Sequence, residues 1–369
     1  MTSPTDERPT DERPTAEGSA GRPVPARRAD DRPVLAARDV TVHFPTKGGA
    51  VHALDGVSLA LHRGRTHAVV GESGSGKSTL ARTLALVQQP TAGTVELHGA
   101  PVEAARRRRQ RREFAATVQL VLQDPFSSLN PLHPVRYLLS RPLLLHRPPM
   151  PAEQLETEML QLLERVALVP ARRFLDARPH ELSGGQRQRV AIARALAVRP
   201  EVILGDELIS MLDVSLRLEV LNLLATLRDE EGLAMLYITH DIATARYFAD
   251  EITVLYAGEV VETGSSEDVT QTPAHPYTRL LVESSPDPSP ESLAAGPAGD
   301  GERPRADAVA AEPPDLISPP SGCRFHPRCP LARPRCAEAS PPSVEVHDGH
   351  RARCWALTDD EQYQRGSVA

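Results

Sequence analysis

The chain reads as an α/β protein built around a parallel sheet buried on both faces. Three observations predict this. Ala68-Val69-Val70, Val202-Ile203-Leu204 and Met235-Leu236-Tyr237-Ile238 are continuously apolar, as strands covered by helices on both sides must be. Each runs into polar residues with chemical use, and in open α/β sheets ligands collect at the carboxyl ends of strands. The first strand enters the glycine-rich loop Gly71-Glu72-Ser73-Gly74-Ser75-Gly76-Lys77-Ser78-Thr79, after which Leu80, Leu84 and Val87 follow at helix spacing.

Taken in order, residues 1–33 read as a disordered tail, rich in Pro and repeating Thr5-Asp6-Glu7-Arg8-Pro9 as Thr10-Asp11-Glu12-Arg13-Pro14. The main domain spans 34–284. It opens with antiparallel strands in which Val40, Val42 and Phe44, then Val57, Leu59 and Leu61, alternate with polar or small residues. Val95 and Leu97 repeat the pattern after the turn residues Thr91-Ala92-Gly93. Leu155, Met159, Leu162 and Val166 recur at helix spacing, which predicts an inserted helical subdomain over about 124–199. A Pro-rich linker over 285–321 precedes a cysteine-bearing module over 322–356 and a tail over 357–369.

Composition narrows the function. The net charge of −7 argues against a general nucleic-acid binder, and no nucleic-acid partner is expected. The basic cluster Arg106 to Arg109 with Arg111 and Arg112 reads as a solvated helix face, with phosphate or lipid headgroup contact as the alternative. No run approaches the roughly 18 apolar residues that span a bilayer, and the N-terminus lacks signal-peptide character, so the polypeptide is expected in the cytosol unless a partner holds it at a membrane. Of 42 basic residues only Lys47 and Lys77 are lysines, leaving 40 arginines. Lysine is kept where a compact ammonium fits beside phosphates and a planar guanidinium would not.

The loop from Gly71 to Thr79 fits G-x-x-x-x-G-K-[ST] between a strand and a helix, the context that marks a phosphate loop. Gly71, Gly74 and Gly76 let backbone N–H groups converge on phosphate, Lys77 reaches the terminal phosphates, and Ser78 can ligate magnesium. Val202-Ile203-Leu204-Gly205-Asp206-Glu207 ends in two carboxylates. Asp206 is placed to hold magnesium, and Glu207 to polarise an attacking water as general base. Leu182-Ser183-Gly184-Gly185-Gln186 precedes a helix marked by Val190, Ala193 and Leu196; Ser183 and Gln186 form an S-x-x-Q capping box, and the glycines expose N–H groups as a second anion site.

With Gln123 and His240 added, this set resembles, in order and spacing, an ATP-binding cassette (ABC) transporter nucleotide-binding subunit over about 34–284. The resemblance implies that Ser183, Gly184, Gly185 and Gln186 close over ATP held by the phosphate loop of a second subunit. It places Gln123 at magnesium and the route to the helical subdomain, His240 at the γ-phosphate, Phe44 on adenine, and Ser73, Ser75, Thr79 and Asp213 among the ATP-binding residues. One departure stands out. After Glu207 the family usually has Pro, a small or β-branched residue, Ser, Ala, Leu and Asp, whereas this chain reads Leu208, Ile209, Ser210, Met211, Leu212, Asp213.

Val121 to Pro131 and His275-Pro276-Tyr277-Thr278 resemble the oligopeptide and dipeptide importer branch, and so does the cysteine module. All four cysteines lie there, at Cys323, Cys329, Cys336 and Cys354. A cytosolic location disfavours disulfides, and no pair has C-x-x-C spacing. The resemblance implies a 4Fe-4S centre, which the ligand count fits. Zinc with His326, His347 or His350 as substitute ligands is the alternative, as are free thiols.

The sequence therefore predicts the ATP-hydrolysing subunit of a peptide importer, peripheral at the cytoplasmic face of the membrane. Its implied partners are two integral-membrane permease subunits, a second ABC ATPase, identical or homologous, and an extracellular solute-binding protein. Nickel or a glycan is an alternative cargo. A soluble ABC ATPase is a weaker reading, because the chain has one cassette and no long coiled-coil insertion, and so is an exporter, given the importer-like tail and no membrane span; a non-transport redox sensor built on the tail would require redox-dependent binding without coupled uptake.

Overall fold

The computed structural model describes residues 32–102, 108–124, 129–210, 212–285 and 314–358. The repeated N-terminal segment, Arg106 and Arg107, residues 125–128, Met211, most of the expected linker and the last residues of the chain lie outside the described residues.

Two sheets organise the molecule. The first has the order β2-β1-β4-β5, with β1 Leu35–Thr46, β2 Gly49–Leu61, β4 Ala92–Leu97 and the short β5 Ala100–Pro101, all antiparallel. The second has eight strands in the order β11-β12-β10-β9-β3-β8-β7-β6. Its centre is parallel: β3 Thr66–Val70, β6 Val118–Val121, β7 Val202–Asp206, β8 Ala234–Thr239 and β9 Glu251–Tyr256. The antiparallel β10 Glu259–Ser265 and the hairpin β11 Ser343–His347 and β12 His350–Arg353 complete it. The segment after the expected linker thus extends the central sheet, pairing Glu262 with Ala352 and Thr263 with Arg351.

Every residue of β3, β7 and β8 is buried. Alternation sends Ala68, Val70, Ile203, Met235 and Tyr237 into one core, and Val69, Leu204, Leu236 and Ile238 into the other. The second core is closed by β1, β2 and α1 Lys77–Leu84. Each fully buried Val, Leu or Ile there contributes about 1.5–3 kcal/mol. The helix spacing after the loop holds for Leu80 and Leu84 but not Val87, which lies beyond the helix end and is exposed; the backbone turns left-handed at Leu86, with φ +55°. Ala92 and Gly93, expected in a turn, already belong to β4.

Between β6 and β7 the chain is mainly helical. The helices are α2 Arg108–Thr117, just before β6, and then α3 Val135–His146, α4 Ala152–Arg165, α5 Ala171–Leu175 and α6 Gly184–Leu196. Met159, Leu162 and Val166 are buried as their spacing requires. The remaining α-helices among the described residues are α7 Val214–Glu231, α8 Ile242–Phe248, α9 Ser266–Gln271, α10 Pro276–Glu283 and α11 Pro334–Glu338. Among the described residues, no helix is long and apolar enough to cross a membrane.

Candidate active site

Four neighbouring parallel strands deliver the site. In the order β3-β8-β7-β6, their carboxyl ends lead into the loop at Gly71, His240, Asp206 with Glu207, and Gln123. Register explains the meeting of distant residues: Val121 pairs with Gly205 and Asp206 with Ile238, so Gln123, Glu207 and His240 emerge side by side.

The loop is closely fitted. A Cβ at Gly71 would come within 2.1 Å of the Leu255 carbonyl oxygen. Gly76 has φ +105°, and a Cβ there would lie 2.3 Å from the Ala53 carbonyl oxygen, so only glycine is accommodated. Ser73 and Gly74 are exposed, and Thr79 accepts through its carbonyl from Thr83 Oγ1. Ser75 Oγ is buried without a hydrogen-bond partner among the described residues, an unsatisfied group within the loop. Lys77 is 5% exposed, and its Nζ donates to the carbonyls of Gly71 and Glu72, both at 2.7 Å. Burial pulls the ammonium below its usual pKa, while Glu207, Asp206 and Glu72 pull it back.

Ser78 Oγ donates to Asp206 Oδ1 at 3.0 Å. Burial raises the Asp206 carboxyl above its ordinary pKa, with Ser78 opposing and the Glu207 charge adding to the rise. An incoming cation would reverse that penalty, so Ser78 and Asp206 fit a hard divalent ion such as magnesium. Glu207 sits at φ +48° and is held from two sides: Gln123 Nε2 donates to Oε2 at 2.8 Å, and His240 Nδ1 lies 3.3 Å from Oε1. Ser210 Oγ donates to the Glu207 carbonyl at 3.0 Å and lies 3.5 Å from Gln123 Nε2. Gln123 and His240 are exposed, so a ligand can reach this trio from solvent.

Of the two departures after Glu207, Leu208 turns inward, and Met211 lies outside the described residues. Leu208 and Ile209 are buried, and Leu208 Cδ1 fills the space over Gly205, 2.5 Å from where a Cβ would stand. Leu208, Ile209 and Leu212 all belong to the buried core next to the carboxylates.

The capping box is formed at the start of α6. Gln186 N donates to Ser183 Oγ at 3.3 Å and Ser183 N to Gln186 Oε1 at 2.9 Å. Gly184 faces Leu212, and Gly185 lies so close to Leu216 that a Cβ would be 3.3 Å away. Among the described residues, none of the hydrogen bonds of Ser183 to Gln186 reaches the phosphate loop. Asp213 stands at the N-cap position of α7 and is exposed, and Phe44 lies half-buried on β1. Beside Phe44, the register partners His43 and His52 both hydrogen bond to Asp55, at 2.5 and 3.2 Å. Arg324 takes the same carboxylate from the C-terminal segment.

The four cysteines converge on one small cavity, which His275, His326 and Trp355 also line. All are thiols, half-buried. Burial pushes Cys323 up to about 12 and Cys329 to about 11, and Cys354 also rises. His350, buried, bonds Glu262 at 2.7 Å through Nε2, and its Nδ1 lies 3.2 Å from His347 Nε2; His326 Nδ1 is 2.9 Å from the Cys323 carbonyl. Among the described residues, His43, His52 and Asp55 are the only three or more metal-ligating side chains whose ligand atoms all lie within 4.8 Å of one another. No three of the four sulfurs all lie within 4.8 Å of one another.

Sequence reasoning missed what holds Glu72. Its N–H donates to Tyr277 Oη at 2.9 Å, and its carboxylate receives Arg328 from the cysteine segment. Spacing carries no sign of contacts between positions 72, 277 and 328.

A phosphate loop beside strand-end carboxylates, at the carboxyl ends of parallel strands, defines the class as a P-loop nucleotide hydrolase. The family model described as ABC transporter matches residues 54–210, and the oligopeptide/dipeptide transporter C-terminal region matches 261–336. The dipeptide transport ATP-binding protein DppF of Haemophilus influenzae is 38% identical over 341 residues, spanning 89% of this chain and 98% of that protein. The oligopeptide transport ATP-binding protein AppF of Bacillus subtilis is also 38% identical, over 88% of this chain and 98% of its own length. A solved dimeric bacterial ABC transporter cassette is 31% identical with TM-score 0.58, over 63% of this chain and 98% of that one. The cbiO1 protein of Clostridium perfringens, part of an ABC transporter complex, is 26% identical with TM-score 0.58, over 66% and 92%. The chain belongs to the ABC transporter ATP-binding proteins, in the branch that carries the oligopeptide/dipeptide transporter C-terminal region. It is an ABC-type ATPase, and ATP is its nucleotide.

Proposed function

We propose that this ATPase powers import of dipeptides or oligopeptides, working at the cytoplasmic face of the membrane with two permease subunits, a second ATPase and a solute-binding protein. The observation that carries the catalytic part is the trio Gln123, Glu207 and His240, gathered at adjoining strand ends beside the phosphate loop. Two transport relatives matched over nearly their whole length support the cargo class. Leu132, Tyr137, Leu144 and Leu145, exposed on α3 and just before it, are apolar side chains available to a membrane partner.

In this reading Phe44 stacks on adenine, and backbone N–H groups from Gly71 to Thr79 with Lys77 hold the phosphates. Ser78 and Asp206, with Gln123, would hold magnesium, which supplies charge neutralisation at the β- and γ-phosphates. Glu207 accepts a proton from the attacking water while Gln123 and His240 fix its carboxylate. Ser183, Gly184, Gly185 and Gln186, with Asp213 nearby, close over ATP on a second subunit. That division is supported by the reciprocal hydrogen bonds of Ser183 and Gln186 and by the close packing of Gly185 against Leu216 of α7.

The four thiols are proposed to hold one 4Fe-4S cluster. Four thiolates would supply its ligands at a convergent, partly buried position. A single zinc ion would draw its sulfurs to about 3.8 Å of one another, given Zn–S bonds near 2.3 Å. His347 and His350 are engaged with each other and, at His350, with Glu262. Gentle detergent pull-down from membranes tests the transport reading: permeases, solute-binding protein and a second ATPase should copurify, and recovery with ribosomes instead would refute it.

A further inference from the structure

The C-terminal segment reaches the back of the phosphate loop at two points. Arg328 makes a paired, fork-like contact with Glu72, NH1 to Oε2 at 2.8 Å and NH2 to Oε1 at 2.9 Å, with its side chain 6% exposed. It also lies 5.8 Å from the ring centroids of Tyr256 and Phe325. Phe325, buried, anchors the segment edge-on to Tyr256. The second point is Arg324, which donates to the Ala257 carbonyl and to Asp55. The turn it grips continues at Gly258, whose N–H donates to the Ser75 carbonyl at 2.9 Å.

Glu72 is where these restraints meet the chemistry. Its carbonyl accepts from Lys77 Nζ at 2.7 Å and from Ser75 N at 3.2 Å, while Tyr277 Oη holds its N–H. The peptide at Glu72 therefore receives the lysine that must swing to nucleotide phosphate, and its side chain is fixed by a residue more than 200 positions away in sequence.

We infer that Arg328 is a positioning residue for ATP binding: through Glu72 it sets the shape of the phosphate loop, so nucleotide affinity depends on the cysteine-bearing segment. The inference rests on the reading of Gly71 to Thr79 as the ATP site. A paired, partly buried guanidinium–carboxylate contact fixes both distance and plane, which a lone charge does not. Removing either partner frees the Glu72 side chain and lets the loop sample shapes that do not bind.

The test uses the full-length chain and a fluorescent ATP analogue with magnesium. R328Q and E72Q should each raise Kd about tenfold, within the usual range of coupling between sites, and the R328Q/E72Q double variant should raise it no further. KM for ATP should rise more than kcat falls. A role confined to anchoring the segment would lower the melting temperature and leave Kd of the folded fraction unchanged, which would overturn the inference. Should R328Q not fold, R328K keeps the charge without the fork; a Kd about threefold higher supports the inference and a wild-type Kd overturns it. K77A separates the two levels. Loss of binding in K77A with wild-type binding in R328Q rejects the role of Arg328 alone, whereas wild-type binding in K77A rejects the ATP-site reading itself.

Discussion

Gln123 Nε2 donates to Glu207 Oε2 at 2.8 Å, joining residues that parallel register brings together two positions beyond the Val121–Gly205 pair. The contact leaves the second carboxylate oxygen facing His240. A carboxylate held from both sides keeps its geometry without closing the site, since Gln123 and His240 are themselves exposed.

His240→Ala should lower kcat about 100-fold or more while leaving ATP affinity within a few-fold, because its ring meets Glu207 rather than the phosphate loop. Steady-state hydrolysis with separate ATP titration checks the split. A parallel loss of binding would place His240 in ground-state recognition instead.

Glu251 gives a pH test far from catalysis. The His67 ring, whose Nδ1 lies 3.4 Å from Oε2, holds the carboxyl down at about 2, with burial working against it and His62 and Arg65 assisting. The folded pKa is below the unfolded value, so its contribution to stability is present above about pH 4.5 and is lost as pH falls toward about 2. Glu251→Gln should cost on the order of 3 kcal/mol at neutral pH and flatten the acid limb of a denaturation profile. Equal losses at pH 7 and pH 2 would contradict the assignment.

Much of this site could be read from residue order. The loop, the strand-end acids and the Ser183–Gln186 box are local patterns, and local period and capping chemistry report them directly. The continuous apolar runs became β3, β7 and β8 because strands buried on both faces leave no polar alternation. Val87 failed because nothing in its spacing reveals the left-handed turn at Leu86. The burial of Leu208 and Ile209, the pairing of β10 with β12 and the grip of Arg328 on Glu72 depend on tertiary proximity, which spacing does not encode.

Anaerobically purified chain should carry roughly four irons and a broad visible absorbance, with both lost in Cys329→Ser. Iron and sulfide analysis decides this. A colourless preparation holding stoichiometric zinc would reject the cluster.

In the proposed mechanism one chain binds ATP through Gly71 to Thr79 and hydrolyses it through Glu207, in a site completed by Ser183 to Gln186 of a second subunit. The most direct measurement is the ATP-dependent assembly state and turnover of Glu207→Gln, followed by light scattering and phosphate release in the presence of the companion subunit. A stable ATP-bound pair should form, with hydrolysis reduced at least about 100-fold. Undiminished hydrolysis by Glu207→Gln would contradict it.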